Sequence, residues 1–260
     1  MKKGTPPLGQ HFLNNPTVAH TLIDAAGVTE GTAVLEIGPG EGALTKELLA
    51  RGARVVAVER DPQLVEKLHT LFSGDIAEER LTIIEKDVRD FDPREHGLTS
   101  GSYVLAANIP YYITGDIIRR FLTTEAQPRS MALLIQKEVA ERIARDKKES
   151  LLSLSVKAFG TPRFVKKVTR GNFSPPPSVD SAILSITHIS RDFFKNISEE
   201  ALFSVLRAGF ASKRKFLSSN LSRFGKEKVS RAFHTCGVDH KARAEDLSLE
   251  TWHCLTQELT

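Results

Sequence analysis

The sequence predicts an α/β fold, a mostly parallel sheet with helices on both faces, followed by a smaller all-helical domain. Three observations carry this. Short apolar runs alternate with amphipathic stretches through the first two thirds of the chain. A glycine-rich turn follows the first clear apolar run, and strand signals stop near Ser198 while helical patterns continue.

A helix starts after Asn14-Asn15-Pro16, because proline suits a first turn, and runs to about Ala26 ahead of Gly27. Val34–Ile37 is a strand. The glycine loop comes next, then an amphipathic helix from about Ala43 to Arg51, with Gly52 just past its end. Arg54–Glu59 is a second strand, followed by a helix from about Pro62 to Phe72. Leu81–Glu85 and Tyr103–Ala107 are the third and fourth strands. Ile113–Leu122 reads as helix, Met131–Gln136 as strand and Lys137–Arg145 as helix. Strands over Arg163–Thr169 and Val179–His188 flank a loop, Asn172-Phe173-Ser174-Pro175-Pro176-Pro177. Three or four helices follow, among them Glu199–Phe210, Lys213–Phe224 and Glu245–Leu259. The domain boundary falls near residues 189–196, giving domains over 1–190 and 191–260.

Composition sets the class. The 260 residues are 40% hydrophobic and 26% charged, ordinary for a soluble globular chain. No apolar run reaches membrane-spanning length. The start, Met1–Pro7, has two lysines and no apolar stretch behind them, so no secretory signal is expected and the location is read as cytoplasmic. Cys236 and Cys254 form no paired motif; a disulfide between them is an open alternative, but nothing asks for one, and they are read as reduced thiols. The eight histidines show no zinc spacing, so no metal is expected. Charge is uneven. Residues 1–110 hold 11 Lys and Arg against 16 Asp and Glu, while residues 111–260 hold 25 against 16. The basic half suits a polyanion.

The loop Glu36-Ile37-Gly38-Pro39-Gly40-Glu41-Gly42 fits two ligands. Gly38, Gly40 and Ala43 satisfy the dinucleotide pattern G-x-G-x-x-A, and Glu59 ends the second strand, where a carboxylate grips ribose hydroxyls. A pyrophosphate, however, needs convergent N–H donors and no nearby negative charge. Pro39 removes a donor and Glu41 adds a carboxylate. S-adenosylmethionine has no phosphate and carries two cationic groups, so it tolerates this loop. Asp87, after the third strand, is placed to accept from an adenine amino group. Gly38, Glu59, Asp87 and Asn108 follow successive strands, whose ends form the ligand crevice of an open sheet.

Asn108-Ile109-Pro110-Tyr111 then suits one task, alkylating a nitrogen that belongs to a planar conjugated group. The Asn108 amide oxygen and the Pro110 carbonyl can each accept an N–H, favouring a tetrahedral nitrogen with its lone pair aimed at an electrophile. Tyr111 offers a flat face. The plainer reading is an Asx-type turn closing a strand. Tyr112 reads as support packing.

With these residues the chain resembles the ribosomal RNA adenine N6-dimethyltransferase family. The likeness begins at Gly9-Gln10-His11-Phe12-Leu13, similar to the family's GQxFL segment, whose third and fifth positions contact the methyl donor; these are His11 and Leu13 here. It continues through the glycine loop, Glu59, Asp87, the Asn108–Tyr111 tetrapeptide, Gln136–Arg142, Phe173–Ser181, Phe210–Lys215 and Arg243–Ser248. The departures are Ile109, where leucine is commoner, and Ser219, where the family often has asparagine. The resemblance implies a Rossmann-like methyltransferase fold and S-adenosylmethionine as donor. It also implies dimethylation of N6 on two adjacent adenosines in the 3′-terminal hairpin loop of small-subunit rRNA. The setting is a pre-ribosomal 30S-type particle, with a role in small-subunit biogenesis and the enzyme acting as a monomer.

A target base that leaves its stack is received between flat side chains. Tyr111 is expected to cover one face and Phe173 the other, although Phe173 equally suits a core anchor. RNA contacts are expected from Lys147, Lys148, Arg163, Lys166, Lys167, Arg170 and Arg223, and first from Lys213, Arg214 and Lys215. Rivals are an adenine methyltransferase acting on large-subunit rRNA or DNA, a protein glutamine methyltransferase, and a non-catalytic assembly factor.

Overall fold

A computed structural model describes residues 11–260. The basic start and Gly9-Gln10 lie outside the described residues. The chain divides into two compact units, one running to Ala140 and resuming over Thr161–Ile189, the other comprising Glu141–Gly160 and Ser190–Thr260. The last crossing between the units falls at 189/190, and residues 141–160 cluster with the helical unit that follows it.

The first unit begins with β1 (Phe12–Leu13), α1 (Pro16–Ala26), β2 (Ala33–Ile37), α2 (Ala43–Ala50), β3 (Arg54–Glu59), α3 (Pro62–Leu71), a short α4 (Ser73–Ala77) and β4 (Leu81–Glu85). It continues through β5 (Tyr103–Asn108), α5 (Thr114–Thr123) and β6 (Ser130–Gln136) into α6 (Lys137–Ala144). Local chemistry sets the starts. Asn15 and Asp61 accept from the Thr17 and Gln63 N–H groups, and Pro16 and Pro62 stand at the first helical position. After α7 (Leu151–Phe159) the chain returns as β7 (Thr161–Val168), β8 (Phe173–Ser174) and β9 (Ser181–Thr187).

Seven strands form one sheet in the order β4-β3-β2-β5-β6-β9-β7. The first five are parallel, and β9 and β7 close the edge antiparallel. Both faces are covered. Val34, Val55, Ala57, Val104, Ala106, Ala132 and Leu134 share one cluster with α1 and α2. The alternating Leu35, Val58, Tyr103, Leu105, Leu133 and Ile135 are as deeply buried on the opposite face. Strand order reverses at β2, between β3 and β5, which puts a crevice at the carboxyl ends of β2–β5.

A two-stranded antiparallel pair, β1 with β8, was not foreseen. It sets Phe12 opposite Ser174 and Leu13 opposite Phe173. The Asn14 N–H donates to the Asn172 carbonyl at 3.0 Å, and Asn15 Nδ2 to Asn172 Oδ1 at 2.7 Å. Residues 160 positions apart are thus clasped beside the crevice.

The second unit has its own core, with Leu154 and Ala158 of α7 clustered with Leu202, Leu206, Leu217, Phe233, Trp252 and Leu255. Its remaining helices are α8 (Glu199–Gly209), α9 (Leu217–Asn220), α10 (Lys226–Thr235) and α11 (Leu249–Leu259). Two expectations are corrected here. The helix expected over Lys213–Phe224 is only the four-residue α9 with a 3-10 turn behind it; residues 211–216 form a loop. Cys236 and Cys254 are a disulfide, not free thiols. Packing of α10 against α11 brings their Cα atoms to 5.9 Å, which an 18-residue separation does not reveal.

Candidate active site

The residues expected after successive strands line one cavity in the first unit, at the carboxyl ends of β2–β5. Gly38, Gly40 and Glu41 come from the loop after β2, Glu59 from β3, Asp87 from the turn after β4, and Asn108, Pro110 and Tyr111 from β5 and its turn. His11 and Leu13 of the clasp complete it.

Backbone geometry explains the glycines. Gly40 has φ 59°, and a Cβ there would stand 2.8 Å from Phe12 Cδ1, so the loop could not close on the clasp. Gly38 also has positive φ, 65°, so a side chain there would strain the backbone although its Cβ would meet nothing within 4 Å.

Three backbone N–H groups fix the Glu59 carboxylate. Arg60 and Asp61 donate to Oε1 at 2.9 and 3.0 Å, and Gly40 donates to Oε2 at 3.2 Å. Its side chain is 6% exposed and still borders the cavity. A carboxylate has about four acceptor sites, so one remains for a hydroxyl. Asp87 is held otherwise. Arg89 donates to Oδ1 through its backbone N–H and Nε, both at 2.9 Å, and to Oδ2 through Nη2 at 2.6 Å. These hydrogen bonds bring the Asp87 carboxyl down to about 2.

Asn108 Nδ2 donates to the His11 carbonyl at 2.8 Å. That bond orients the amide, and Oδ1 has no hydrogen-bond partner among the described residues. Pro110's carbonyl already accepts the Ile113 N–H at 3.2 Å, leaving one lone pair. Tyr111 is half-buried. Its hydroxyl lies 2.8 Å from Ser181 Oγ, and its ring is tilted 34° to the His11 ring with centroids 6.0 Å apart. Burial pushes the phenol up, partly offset by the Ser181 hydrogen bond. His11 Nδ1 is the donor to the Pro175 carbonyl at 2.9 Å, so the clasp also sets that ring.

Two aromatic expectations change. Phe173 is 4% exposed inside the cluster shared with α1 and α2, and it does not line the cavity. Pairing with Leu13 turns it inward, which is the core-anchor alternative. Tyr112 is not support packing: it is 62% exposed and borders the cavity.

Glu36 was overlooked. It is 1% exposed on β2, and its Oε2 accepts from Thr45 Oγ1 at 2.7 Å. Burial first, then the nearby Glu59, push it up to about 8, against the Thr45 hydrogen bond. The signal was an acid inside the apolar run Ala33–Ile37.

Among the expected RNA contacts, Lys213, Arg214 and Lys215 are exposed and form no ion pair among the described residues. Lys147 is exposed as well. Lys148 is bound to Glu245 at 2.5 Å. Arg223 Nη2 donates to Ser204 Oγ at 2.8 Å, with its guanidinium 4.8 Å over the Phe224 ring. Lys167 pairs with Asp180 at 2.8 Å. No helix of the described residues is long and apolar enough to cross a membrane, and no group of three His, Cys, Asp or Glu among them is placed to hold a metal.

The profile of the ribosomal RNA adenine dimethylase family matches residues 1–260. The chain belongs to this family. Ribosomal RNA small subunit methyltransferase A of Dehalococcoides mccartyi strain CBDB1 is 39% identical over 260 residues, covering 98% of this chain and 88% of that one. The protein of the same description from Clostridium botulinum strain Kyoto is 36% identical, over 94% and 89%. Among solved structures, the 23S rRNA methyltransferase ErmE superposes with TM-score 0.77 at 26% identity, over 95% of this chain and 99% of that one. A dimethyladenosine transferase from Plasmodium falciparum shares the fold, with TM-score 0.76 at 24% identity over 94% and 96%. This member of the dimethylase family is therefore an rRNA adenine dimethyltransferase on a Rossmann-like methyltransferase fold.

Proposed function

We propose that the chain takes methyl groups from S-adenosylmethionine and dimethylates N6 of two adjacent adenosines in the 3′-terminal hairpin loop of small-subunit rRNA. It would act as a cytoplasmic monomer on a pre-ribosomal 30S-type particle during small-subunit biogenesis. The observation that carries the reading is Asn108, whose amide is turned by the His11 carbonyl so that Oδ1 is left as an acceptor in a cavity also lined by Glu59.

The residues present fit the donor. Glu59 keeps an acceptor site for a ribose hydroxyl, the Gly38 backbone borders the cavity, and Asp87 would face an adenine edge. His11 and Leu13 would close the methionine side. Bound there, the sulfonium supplies an electrophilic methyl. Asn108 Oδ1 and the free lone pair of the Pro110 carbonyl would accept the two N6–H groups, drawing the amine toward tetrahedral geometry. Tyr111 would stack on the base. A neutral amine needs no general base, and none is assigned. The unit that resumes at Ser190 is the part we assign to RNA, through Lys213, Arg214 and Lys215, with Lys147, Lys148 and Arg223 in support.

The small-subunit target is favoured by curated relatives at 35–39% identity, all described as small-subunit enzymes. The test is to map N6-dimethyladenosine in rRNA from cells with and without the protein. Loss confined to adjacent adenosines near the small-subunit 3′ end is expected. Loss in large-subunit rRNA would select the alternative instead.

A further inference from the structure

Phe216 is one of four large apolar side chains exposed among the described residues, at 48%. Unlike Leu71, Tyr112 and Val179, it directly follows three consecutive cations, Lys213, Arg214 and Lys215. All three are exposed and form no ion pair among the described residues, whereas Lys148, Lys157 and Lys195 of the same unit are paired with carboxylates. We propose that this loop is a binding site for unpaired RNA, the Phe216 ring stacking on one exposed base while the cations take the flanking phosphates. The proposal rests on the rRNA reading above and deepens it, naming single-stranded RNA as what this unit grips.

Local stability does not account for the ring. Phe216 is the N-cap of α9, where Ser, Thr, Asp or Asn would accept a first-turn N–H and a phenyl group cannot. A phenyl ring here leaves the first turn of α9 without a side-chain cap and about half of its own surface in water. The loop holds it in place. Asn220 Nδ2 donates to the Gly209 and Ser212 carbonyls at 2.6 and 3.0 Å, and the Lys215 N–H donates to Ser212 at 3.1 Å. The next residue, Leu217, is fully buried, and its N–H donates to Ala242 at 2.9 Å. A ring on a fixed backbone gives up little freedom on stacking.

Charge selects the partner. Three unpaired cations directly before an exposed aromatic ring match the composition of the stacking platform and electrostatic track of single-strand binders. Sequence-specific RNA recognition mostly uses unpaired bases, because A-form duplexes hide base edges from side chains.

The test uses the full chain, a short single-stranded RNA of mixed sequence and a blunt RNA duplex of equal length, over a salt series. Phe216→Ala should weaken single-strand binding by roughly 5- to 160-fold, the range for one base–aromatic stack. The slope of log K against log salt should stay unchanged, because no charge is lost. Duplex binding should hold within about twofold. Phe216→Trp should keep single-strand affinity, and its new emission should be quenched by the single strand and not by the duplex. The native Trp252 is fully buried, so it adds only a constant signal. Parental single-strand affinity in Phe216→Ala, equal loss for both RNAs, or unquenched emission in Phe216→Trp overturns the proposal and leaves the ring to a protein partner. If the parent chain binds neither RNA, the proposal falls as well, whereas the rRNA reading stands or falls on the methylation map.

Discussion

At the scale of single residues, the cavity sets carboxyls and an amide into different states by environment alone. Glu36 and Glu59 both border it, but Glu59 has three N–H donors and Glu36 one hydroxyl. Glu36, pushed up to about 8 from an ordinary 4.5, stays protonated at neutral pH. The folded chain therefore holds this proton more tightly than the unfolded chain. The stability linked to Glu36 is fully present below about pH 4.5 and is lost as pH rises toward 8, by up to about 1.4 kcal/mol per pH unit. Glu36→Gln removes the titration. Denaturant melts should show the parent-minus-variant stability falling between pH 5 and 8, and a flat difference would contradict the buried, protonated state. Asn108 works through direction. Asn108→Ala should cut single-turnover methyl transfer by about two to three orders of magnitude, the usual loss for a preorganised polar group at a reacting centre. Full activity in that variant would falsify the role given to the tetrapeptide. Tyr111→Phe forfeits only the Ser181 hydrogen bond, roughly 1 kcal/mol of ring positioning, and should keep most activity. Tyr111→Ala removes the stacking face and should not.

At the scale of elements, the parallel strands were legible because each is a short apolar run bounded by turn chemistry, and their ends carried Gly38, Glu59, Asp87 and Asn108 into one crevice. The clasp was not legible. Two residues at each end, far apart in sequence, have no periodicity to read, yet that pairing turns Phe173 into the core and aims the His11 carbonyl at Asn108. Helix α7 opens on the reciprocal Ser150–Ser153 cap, which lacks the Glu or Gln that marks such a box in sequence. The disulfide followed only from the packing of α10 on α11. Helix α8 gives a sharper test. Gly209 ends it under Trp252, and a Cβ there would stand 2.3 Å from Cη2 of that fully buried ring. Alanine is the better helix former by about 1 kcal/mol. Overpacking a rigid indole costs about 1–3 kcal/mol and should outweigh it. Gly209→Ala should lower the denaturant midpoint followed by Trp252 emission, the chain's single tryptophan; an unchanged or higher midpoint would mean that the ring can move aside.

At the scale of the whole molecule, charge separates the small-ligand residues from those expected to meet RNA. The acidic stretch 1–110 contains β2–β5 and most of the cavity, and the basic remainder contains the Lys213–Lys215 loop. This asymmetry was readable from composition, but which cations are available was not. Lys148 and Lys167 are engaged by carboxylates, and Arg223 by Ser204 and the Phe224 face. Exposed ion pairs are weak, so the two lysines can still turn to a phosphate, and Arg223 can do so by leaving Ser204, though each gives up a partner. The unpaired loop gives up none. RNA binding should therefore fall steeply with salt, and Lys213→Ala, Arg214→Ala and Lys215→Ala together should lower the slope of log K against log salt by about two to three units, a little under one per phosphate contact. Donor affinity should not change, since the cavity is built wholly from residues 11–113. Filter binding across a salt series, with donor calorimetry on the same variant, separates the two. A triple variant with parental slope and affinity would make the loop an ordinary solvated surface, whereas loss of donor binding alongside RNA would show that the substitutions had disturbed the fold rather than a contact.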